Sequence, residues 1–186
     1  MLSYRHGFHA GNHADVLKHT ALVALLRILA RKDKPLLVVD THAGAGMYSL
    51  EQGFAVRNAE FRGGIGALWE RSDLPESVTD YLDQVRAVNP DGVLRQYPGS
   101  PRIALGVLRP QDRLRLFELH STEGAILARQ FAQEGRRVTV TAGDGFAGLK
   151  AVLPPPSRRG LVLIEPSYEL ATDYRAVVTA LRDGIE

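Results

Sequence analysis

The chain has 186 residues, 45% of them hydrophobic, which is enough to bury a full core and favours one main domain. A formal net charge of +2 with 23 Lys and Arg residues permits an anionic partner without requiring one. The absence of cysteine excludes disulfides and thiolate metal sites and favours a reducing, cytoplasmic location. No apolar run has the length or flanks of a signal peptide or membrane helix, so we expect no membrane contact.

Hydrophobic periodicity predicts helices that alternate with short buried strands. A helix is expected over about 14–31, followed by an apolar strand at 36–40 that ends on a carboxylate. Further along the chain, helices are predicted at 102–108, 122–133, 146–152 and 173–182, and strands at 115–118, 138–141 and 161–164. Such alternation predicts an α/β fold with a mostly parallel sheet.

Residues 49–97 interrupt this alternation. Helical spacing occurs at 64–71 and 78–88 without a buried strand between them. We therefore predict a helical insertion subdomain at 49–97 within a main domain formed by 1–48 and 98–186.

Several of the predicted strands end in polar residues or turns that could carry chemistry. They are Asp40 with the glycine turn that follows it, Glu118, the turn 141–145, and Glu165. Because parallel strands end at one edge of a sheet, and open α/β sheets bind ligands there, these groups should converge on one site.

The turn from Asp40 to Gly46 has the glycines of a ligand-binding turn. It lacks the third glycine of dinucleotide motifs and the Lys-Ser/Thr ending of phosphate loops. A turn this short would suit a ligand that has a ribose and an amino-acid end but no phosphate, and Gly44 is its candidate contact. Glu118 is placed to accept hydrogen bonds from two ribose hydroxyls, although a solvated strand-end carboxylate would have the same signature.

The most apolar predicted strand is followed by Glu165, Pro166, Ser167 and Tyr168. This segment could bind an aromatic amine. The Glu165 carboxylate and the carbonyl after it can accept both amine hydrogens, while Tyr168 stacks on the ring. Pro166 fixes the turn and brings no N–H group that competes for these acceptors. Positioning and electrostatics would then do most of the catalysis, without a metal. A plain strand-ending turn with a surface tyrosine is the alternative.

Four histidines lie within the first nineteen residues: His6, His9, His13 and His19. The spacing of His9 and His13 would suit a zinc pair on a helix, but no Cys or His-Glu-x-x-His pattern accompanies it. A polar, basic tail of this kind also suits phosphate and base contacts, to which His6 and Lys18 could contribute.

Seven blocks of sequence carry a resemblance to a known family. They are Leu2–His6, His9–His19, Asp40–Gly46, Tyr97–Pro101, Glu118–His120, Asp144–Gly145 and Arg158–Gly160. Together they resemble the RlmJ family, which comprises bacterial 23S ribosomal RNA (adenine-N6)-methyltransferases. The resemblance implies a Rossmann-like methyltransferase sheet with a small helical insertion, S-adenosylmethionine as cofactor and 23S rRNA as partner.

Site residues follow from matching these blocks with the family. The resemblance implies cofactor contacts from His19, His42, Ser100, Glu118, Asp144 and Gly145, to which we add Gly44 and Glu165. Glu165 matches the family's catalytic aspartate, and Tyr4 matches an RNA-contacting tyrosine. The target adenine would have to leave its stack to reach Glu165.

Two features depart from the family pattern. Glu165 is one methylene longer than the usual aspartate, and a shift of roughly 1 Å at a reacting centre can cost about a hundredfold in rate. The chain is also shorter than its relatives, whose further strands complete the sheet. We therefore expect a sheet that is incomplete on its C-terminal side, with an open edge at 161–164. Either the chain is a fragment or something else covers that edge.

Three hypotheses follow. The first is a monomeric, metal-free rRNA adenine N6-methyltransferase. The second is a cofactor-binding or RNA-binding module that does not catalyse. The third is a metal-dependent hydrolase that uses the N-terminal histidines.

Overall fold

The fold is described from a computed structural model, in which residues 6–185 are described and the side chain of residue 185 is not. The helices are α1 His13–Ala30, α2 Phe54–Asn58, α3 Ile65–Leu68, α4 Glu76–Ala87, α5 Ser100–Val107, α6 Ser121–Gln130, α7 Gly145–Val152 and α8 Ala171–Ile185. The strands are β1 Leu37–Asp40, β2 Met47–Ser49, β3 Gln96–Pro98, β4 Arg113–Glu118, β5 Val138–Ala142 and β6 Gly160–Leu163. Short 3-10 helices occur at His6–Phe8, Glu60–Arg62 and Gly135–Arg137.

The described residues divide into two compact units. The sheet unit comprises residues 32–44 and 109–185, and the helical unit comprises residues 6–31 and 45–108. The predicted insertion at 49–97 lies within the helical unit, and its boundaries stay a prediction. Within residues 6–185, no helix combines the length and apolar character needed to cross a bilayer.

The sheet unit contains four parallel strands in the order β5-β4-β1-β6. In chain order these are the third, second, first and fourth strands of the sheet, so the direction of strand addition reverses between β1 and β6. This reversal is the topological switch point at which open α/β sheets bind ligands. The predicted α/β fold with a parallel sheet is therefore confirmed.

Both faces of the sheet are buried at its centre. On one face, Val39 and Phe117 pack with Leu149 of α7 and Ala180 of α8. Alternate strand residues on the other face, Val38, Leu114 and Leu116, are fully buried as well. Burial on both faces explains why β1 is continuously apolar as far as Asp40. β4 and β5 instead carry Arg or Thr at alternate positions, and these residues are partly or fully exposed.

In the helical unit, α1 packs against α4 and α5. Its core includes Leu22, Leu26, Tyr81 and Leu82. The helical character predicted for 78–88 corresponds to α4, and no strand lies between it and the helical segment at 64–71, as predicted. Two short strands at the ends of the predicted insertion were not anticipated. Strands β2 and β3 pair antiparallel, with Tyr48 opposite Tyr97. Three residues are too few to show the alternation by which a strand is recognised.

The first residue of α7 lies directly against the end of β1. A Cβ added at Gly145 would lie 2.6 Å from Thr41 Cα and closer still to the Thr41 carbonyl oxygen. Backbone atoms cannot move away as a flexible side chain can, so only glycine allows α7 to begin this close to β1.

We expect Gly145→Ala to destabilise the protein by about 3 kcal/mol, because the added methyl group must displace backbone. Gly143→Ala is the matched control, since an added Cβ there meets no atom within 4 Å. Urea denaturation of both variants measures the difference. Equal midpoints for the two variants would contradict the close packing of α7 on β1.

Candidate active site

The carboxyl ends of β1, β4, β5 and β6 lie along one edge of the sheet, which we call the carboxyl edge. β1 and β6 end together, because Asp40 is in register with Leu163. β4 and β5 also end together, because Glu118 is in register with Ala142. The residues on or just beyond these ends are His42, Gly44, Glu118, Asp144, Gly145 and Glu165. The structure thus brings the sequence-predicted residues of the sheet unit to one edge.

Thr41 and His42 form the turn at the end of β1. The backbone N–H and the hydroxyl of Thr41 both donate to the Leu163 carbonyl oxygen, each at 3.1 Å. The His42 N–H donates to Asp40 Oδ1 at 3.1 Å. The Thr41 hydroxyl also lies 2.8 Å from His42 Nδ1, so the two side chains share a hydrogen bond that orients the ring.

Charge and burial act in opposite directions on the His42 ring. Burial lowers the pKa of His42, while the carboxylates of Asp144 and Asp173 work against that change without reversing it. The ring also meets Phe146 of α7 edge-on, with 5.0 Å between centroids. His42 is therefore a neutral, oriented imidazole at pH 7.

Glu118 is held by backbone groups on both oxygens. Gly44 N–H donates to Oε2 at 2.8 Å, and His120 N–H donates to Oε1 at 2.7 Å. Each carboxylate oxygen has a second lone pair, so the group can still accept two more hydrogen bonds. Gly44 has φ 61, a backbone conformation that favours glycine and keeps this turn free of a side chain. The arrangement is that of an oriented acceptor for a pair of hydroxyl groups.

His120 is a neighbour to which the sequence analysis assigned no role. It precedes α6, and its Nδ1 is buried without a hydrogen-bond partner among the described residues. The motif Glu118-Leu119-His120 contained the residue, but nothing in the spacing indicated that its ring would be turned inward.

Asp144 and Gly145 begin α7. Asp144 is the N-cap and accepts a hydrogen bond from Phe146 N–H at 2.8 Å. A carboxylate at this position complements the positive end of the helix dipole. Asp144 therefore orders the start of α7 and places negative charge near His42.

Residues 165–168, which follow β6 and which we call the Glu165 corner, are the segment predicted to bind an aromatic amine. Pro166 is buried and Glu165 is half-buried, whereas Tyr168 is 40% exposed. Tyr168 has φ 55, which is rare for an aromatic residue, and its ring lies 4.9 Å from that of Tyr174. Burial and then the Glu165 charge raise the pKa of Tyr168, so its phenol keeps its proton at neutral pH.

Two residues at this edge were not anticipated. The Asp173 carboxylate opposes the lowering of the His42 pKa and contributes to the raised pKa of Tyr168. Tyr174 packs on Tyr168. Both belong to the first turn of α8, which begins at Ala171 rather than at the predicted residue 173. Hydrophobic periodicity predicts a helix there but carries no signal that its first turn reaches the carboxyl edge.

His19 and Ser100 lie in the helical unit. His19 is fully buried, and its Nδ1 shares a 2.7 Å hydrogen bond with the Tyr97 hydroxyl, which in turn lies 3.1 Å from the Tyr81 hydroxyl. Burial keeps the pKa of His19 well below its usual value, so the ring is neutral. Its Nε2 has no hydrogen-bond partner among the described residues. Ser100 is buried at the start of α5, beside the hydrogen bond from Gly99 N–H to the Gly46 carbonyl.

The N-terminal block is organised around the buried carboxylate of Asp15. His6 Nε2 donates to it at 2.9 Å, Lys18 Nζ at 2.7 Å and Gly11 N–H at 2.9 Å. Burial opposes ionisation of Asp15, but the neighbouring His6 and Lys18 outweigh it and hold the pKa of Asp15 well below its usual range. His6 and Lys18 therefore have structural partners, and their RNA contacts stay predictions. Tyr4 lies outside the described residues.

The two histidines weighed for zinc are placed differently from each other. His9 donates to Glu60 at 2.9 Å, and Asn12 donates to the same carboxylate at 3.0 Å. His13 is exposed at the start of α1. Across residues 6–185, no group of three or more His, Asp and Glu side chains is arranged to hold a metal ion.

Comparison with known proteins identifies relatives of the whole chain. The family model described as "Ribosomal RNA large subunit methyltransferase D, RlmJ" matches residues 33–186. The chain is 52% identical over 184 residues to ribosomal RNA large subunit methyltransferase J of Escherichia coli (strain K12). It is 48% identical over 185 residues to the protein of that name from Haemophilus influenzae.

A solved structure is similar as well. The crystal structure of protein LPL1258 from Legionella pneumophila, assigned to family DUF519, superposes with a TM-score of 0.87 at 41% identity and covers 95% of this chain. The chain spans 65% and 66% of the lengths of the two methyltransferases and 64% of the Legionella chain.

We expect Asp15→Asn to cost about 3 kcal/mol or more at pH 7, because it leaves His6 and Lys18 without their buried counter-charge. The wild type should lose stability as pH falls below about 5, since the unfolded Asp15 takes up a proton that the folded carboxylate rejects. That part of the acid dependence should disappear in the variant.

Asp73→Asn, which breaks an exposed ion pair with Arg71, is the control and should change the unfolding midpoint little. Urea midpoints measured between pH 4 and pH 8 give both comparisons. A similar small effect of both substitutions would show that Asp15 does not organise the N-terminal block.

Proposed function

We propose an activity from one premise, that this chain belongs to the RlmJ family of ribosomal RNA large subunit methyltransferases. It transfers a methyl group from S-adenosylmethionine to the exocyclic N6 amine of an adenine in 23S rRNA. The observation that carries the proposal is that Glu118, fixed by two backbone N–H groups, lies at the same sheet edge as the Glu165 corner.

The residues of the carboxyl edge suit this cofactor. Glu118 has two open acceptor positions for the ribose hydroxyls, and Gly44 lets a ligand approach the backbone. S-adenosylmethionine supplies a methyl group made electrophilic by a sulfonium charge. A neutral His42 adds no positive charge that would oppose this sulfonium, and the carboxylate of Asp144 adds negative charge beside His42.

Residues of the helical unit enter the proposal through the family resemblance. His19 Nε2 is a buried acceptor or donor without a partner in the described part of the chain, so it is available for a polar group of the cofactor. Ser100 offers a hydroxyl at the start of α5. Tyr4 would contact the RNA, as the resemblance implies, and His6 and Lys18 would do so as members of the polar, basic N-terminal tail.

The corner after β6 holds the target amine. The Glu165 carboxylate and the Pro166 carbonyl accept its two hydrogens, so that the nitrogen lone pair points toward the methyl donor. Pro166 cannot donate a hydrogen bond that would compete for these acceptors. Orientation of the lone pair, rather than removal of a proton beforehand, is the contribution of Glu165.

Tyr168 recovers part of the cost of removing the adenine from its stack. Flipping a base costs a few kcal/mol, and stacking on an aromatic side chain returns about 1–3 kcal/mol. The Tyr168 ring is partly exposed and is steadied on one side by Tyr174. Its phenol stays neutral, so it adds no charge that would repel the phosphates of RNA.

We expect Glu165→Ala to lower the rate of methyl transfer to unmodified 23S rRNA by about a hundredfold or more, since the amine loses its orienting acceptor. Glu165→Asp should retain activity, because the shorter carboxylate matches the family pattern. Glu169→Ala, an exposed carboxylate four residues away, is the control. Incorporation of labelled methyl groups measures all four proteins.

An undiminished rate in Glu165→Ala would overturn the role of Glu165. If the wild type binds the cofactor but transfers no methyl group, and Glu165→Asp transfers none either, the chain is a binding module that does not catalyse.

We expect S-adenosylhomocysteine at a hundred times its Kd to stabilise the wild type by about 2.7 kcal/mol, which raises Tm by several degrees. Glu118→Ala should abolish most of this rise because it removes the acceptor for the ribose hydroxyls. Glu134→Ala, a carboxylate just before the opposite end of β5, should leave the rise intact. An equal rise in the Glu118 variant would exclude Glu118 from the cofactor site.

A further inference from the structure

Each of the four parallel strands of the sheet unit is preceded or opened by a pair of basic residues. The pairs are Lys32 and Lys34 before β1, Arg109 and Arg113 at β4, Arg136 and Arg137 before β5, and Arg158 and Arg159 before β6. Because the strands are parallel, all four pairs lie at the end of the sheet opposite the carboxyl edge. We call these eight residues the basic edge.

The basic edge concentrates the positive charge of the chain. The segments 32–34, 109–113, 134–137 and 158–159 contain eight basic and three acidic residues, a net charge of +5, whereas the whole chain carries +2. One of the three acids, Asp112, is fully buried and accepts hydrogen bonds from Arg109 and from Leu36 N–H. The rest of the chain is therefore net acidic, and the excess of cations is local.

Two arginines of the basic edge build its framework. The Arg109 guanidinium donates to the carbonyl oxygens of Lys32 and Lys34 at 2.8 and 3.0 Å. Arg159 donates to the same two carbonyls at 3.3 and 2.8 Å. These bonds fix the loop that carries Lys32 and Lys34, so the charges of this loop are presented in a fixed place.

Five of the remaining six cations are exposed, namely Lys32, Lys34, Arg113, Arg136 and Arg158. The sixth, Arg137, is half-buried. Arg158 has φ 51, a conformation that favours glycine and is uncommon for arginine. A long cationic side chain is thus kept at a backbone position where glycine would be more relaxed.

We propose that the basic edge binds the phosphate backbone of RNA outside the target nucleotide. Three of its exposed residues, Arg113, Arg136 and Arg158, are arginines, whose planar guanidinium groups match phosphate in a bidentate way. Four strands about 4.8 Å apart spread these charges over roughly 14 Å, which is wide enough for several phosphates.

Composition separates this surface from one that binds a lipid membrane. A membrane-surface site combines basic residues with apolar side chains that insert into the bilayer. The exposed large hydrophobic residues of the described chain all lie outside the four basic segments. A polyanion without an apolar layer is therefore the better match.

The position of the surface fits a large substrate. β4, with six residues, spans about 20 Å between the two ends of the sheet. An RNA that reaches from one end to the other must be folded or long, as rRNA is. This inference rests on the proposed function for the identity of the RNA, but not for the existence of the surface.

The test compares two triple variants that each remove three positive charges. Lys34→Gln/Arg136→Gln/Arg158→Gln changes exposed residues of the basic edge, and Arg71→Gln/Arg86→Gln/Arg95→Gln changes exposed arginines of the helical unit. The probes are an unmodified 23S rRNA fragment, a short adenine-containing oligonucleotide and phosphatidylglycerol vesicles. Melting temperatures show whether each variant is folded. If the basic-edge triple variant is not folded, the double variant Lys34→Gln/Arg136→Gln replaces it.

The basic-edge variant should bind the rRNA fragment about tenfold more weakly at 150 mM KCl, with a salt slope lower by about 2–3. KM for the fragment should rise while kcat, and methylation of the short oligonucleotide, stay unchanged. The control variant should match the wild type in these measurements.

Equal effects of both variants, or none, would overturn the basic edge as an RNA site. Loss of vesicle binding with unchanged RNA affinity would overturn it in favour of a lipid surface. Salt-dependent RNA binding through the basic edge without methyl transfer would support this inference while refuting the proposed activity. Methyl transfer to the rRNA fragment that is unchanged in the basic-edge variant, in KM as well as kcat, would support the proposed activity while refuting this inference.

Discussion

The backbone of Thr41 is the point on which the carboxyl edge depends. Its N–H and hydroxyl groups bind the end of β6, and its Cα and carbonyl leave room for no more than a glycine at the start of α7. One residue therefore sets the distance from β1 both to the strand that leads to Glu165 and to the helix that begins after Asp144. A small displacement of Thr41 would therefore shift both Glu165 and the start of α7.

Much of this arrangement could be predicted, because it depends on patterns that the sequence shows directly. Continuous apolar runs mark strands buried on both faces, and parallel strands must end on one edge. The same two patterns predict that His42, Glu118, Asp144 and Glu165 lie at one edge of the sheet. The α/β fold and the family were confirmed, whereas the chemical roles of the site residues stay predictions.

Other features depend on contacts between residues far apart in sequence. The bond between His9 and Glu60, and the approach of Asp173 to His42, have no local signature. The N-terminal block was distinctive in sequence, yet its best-defined role in the structure is the burial of Asp15. A functional motif and a structural one look alike when only the residue types are known.

The separation of charge along the strands gives the sheet unit an electric dipole moment. Its positive pole is the basic edge, and Glu118, Asp144, Glu165 and Asp173 lie toward the negative pole. A polyanion therefore attracts the basic edge of this unit. At the carboxyl edge the same separation of charge repels phosphates but not an uncharged base, which favours the entry of a nucleobase without its backbone.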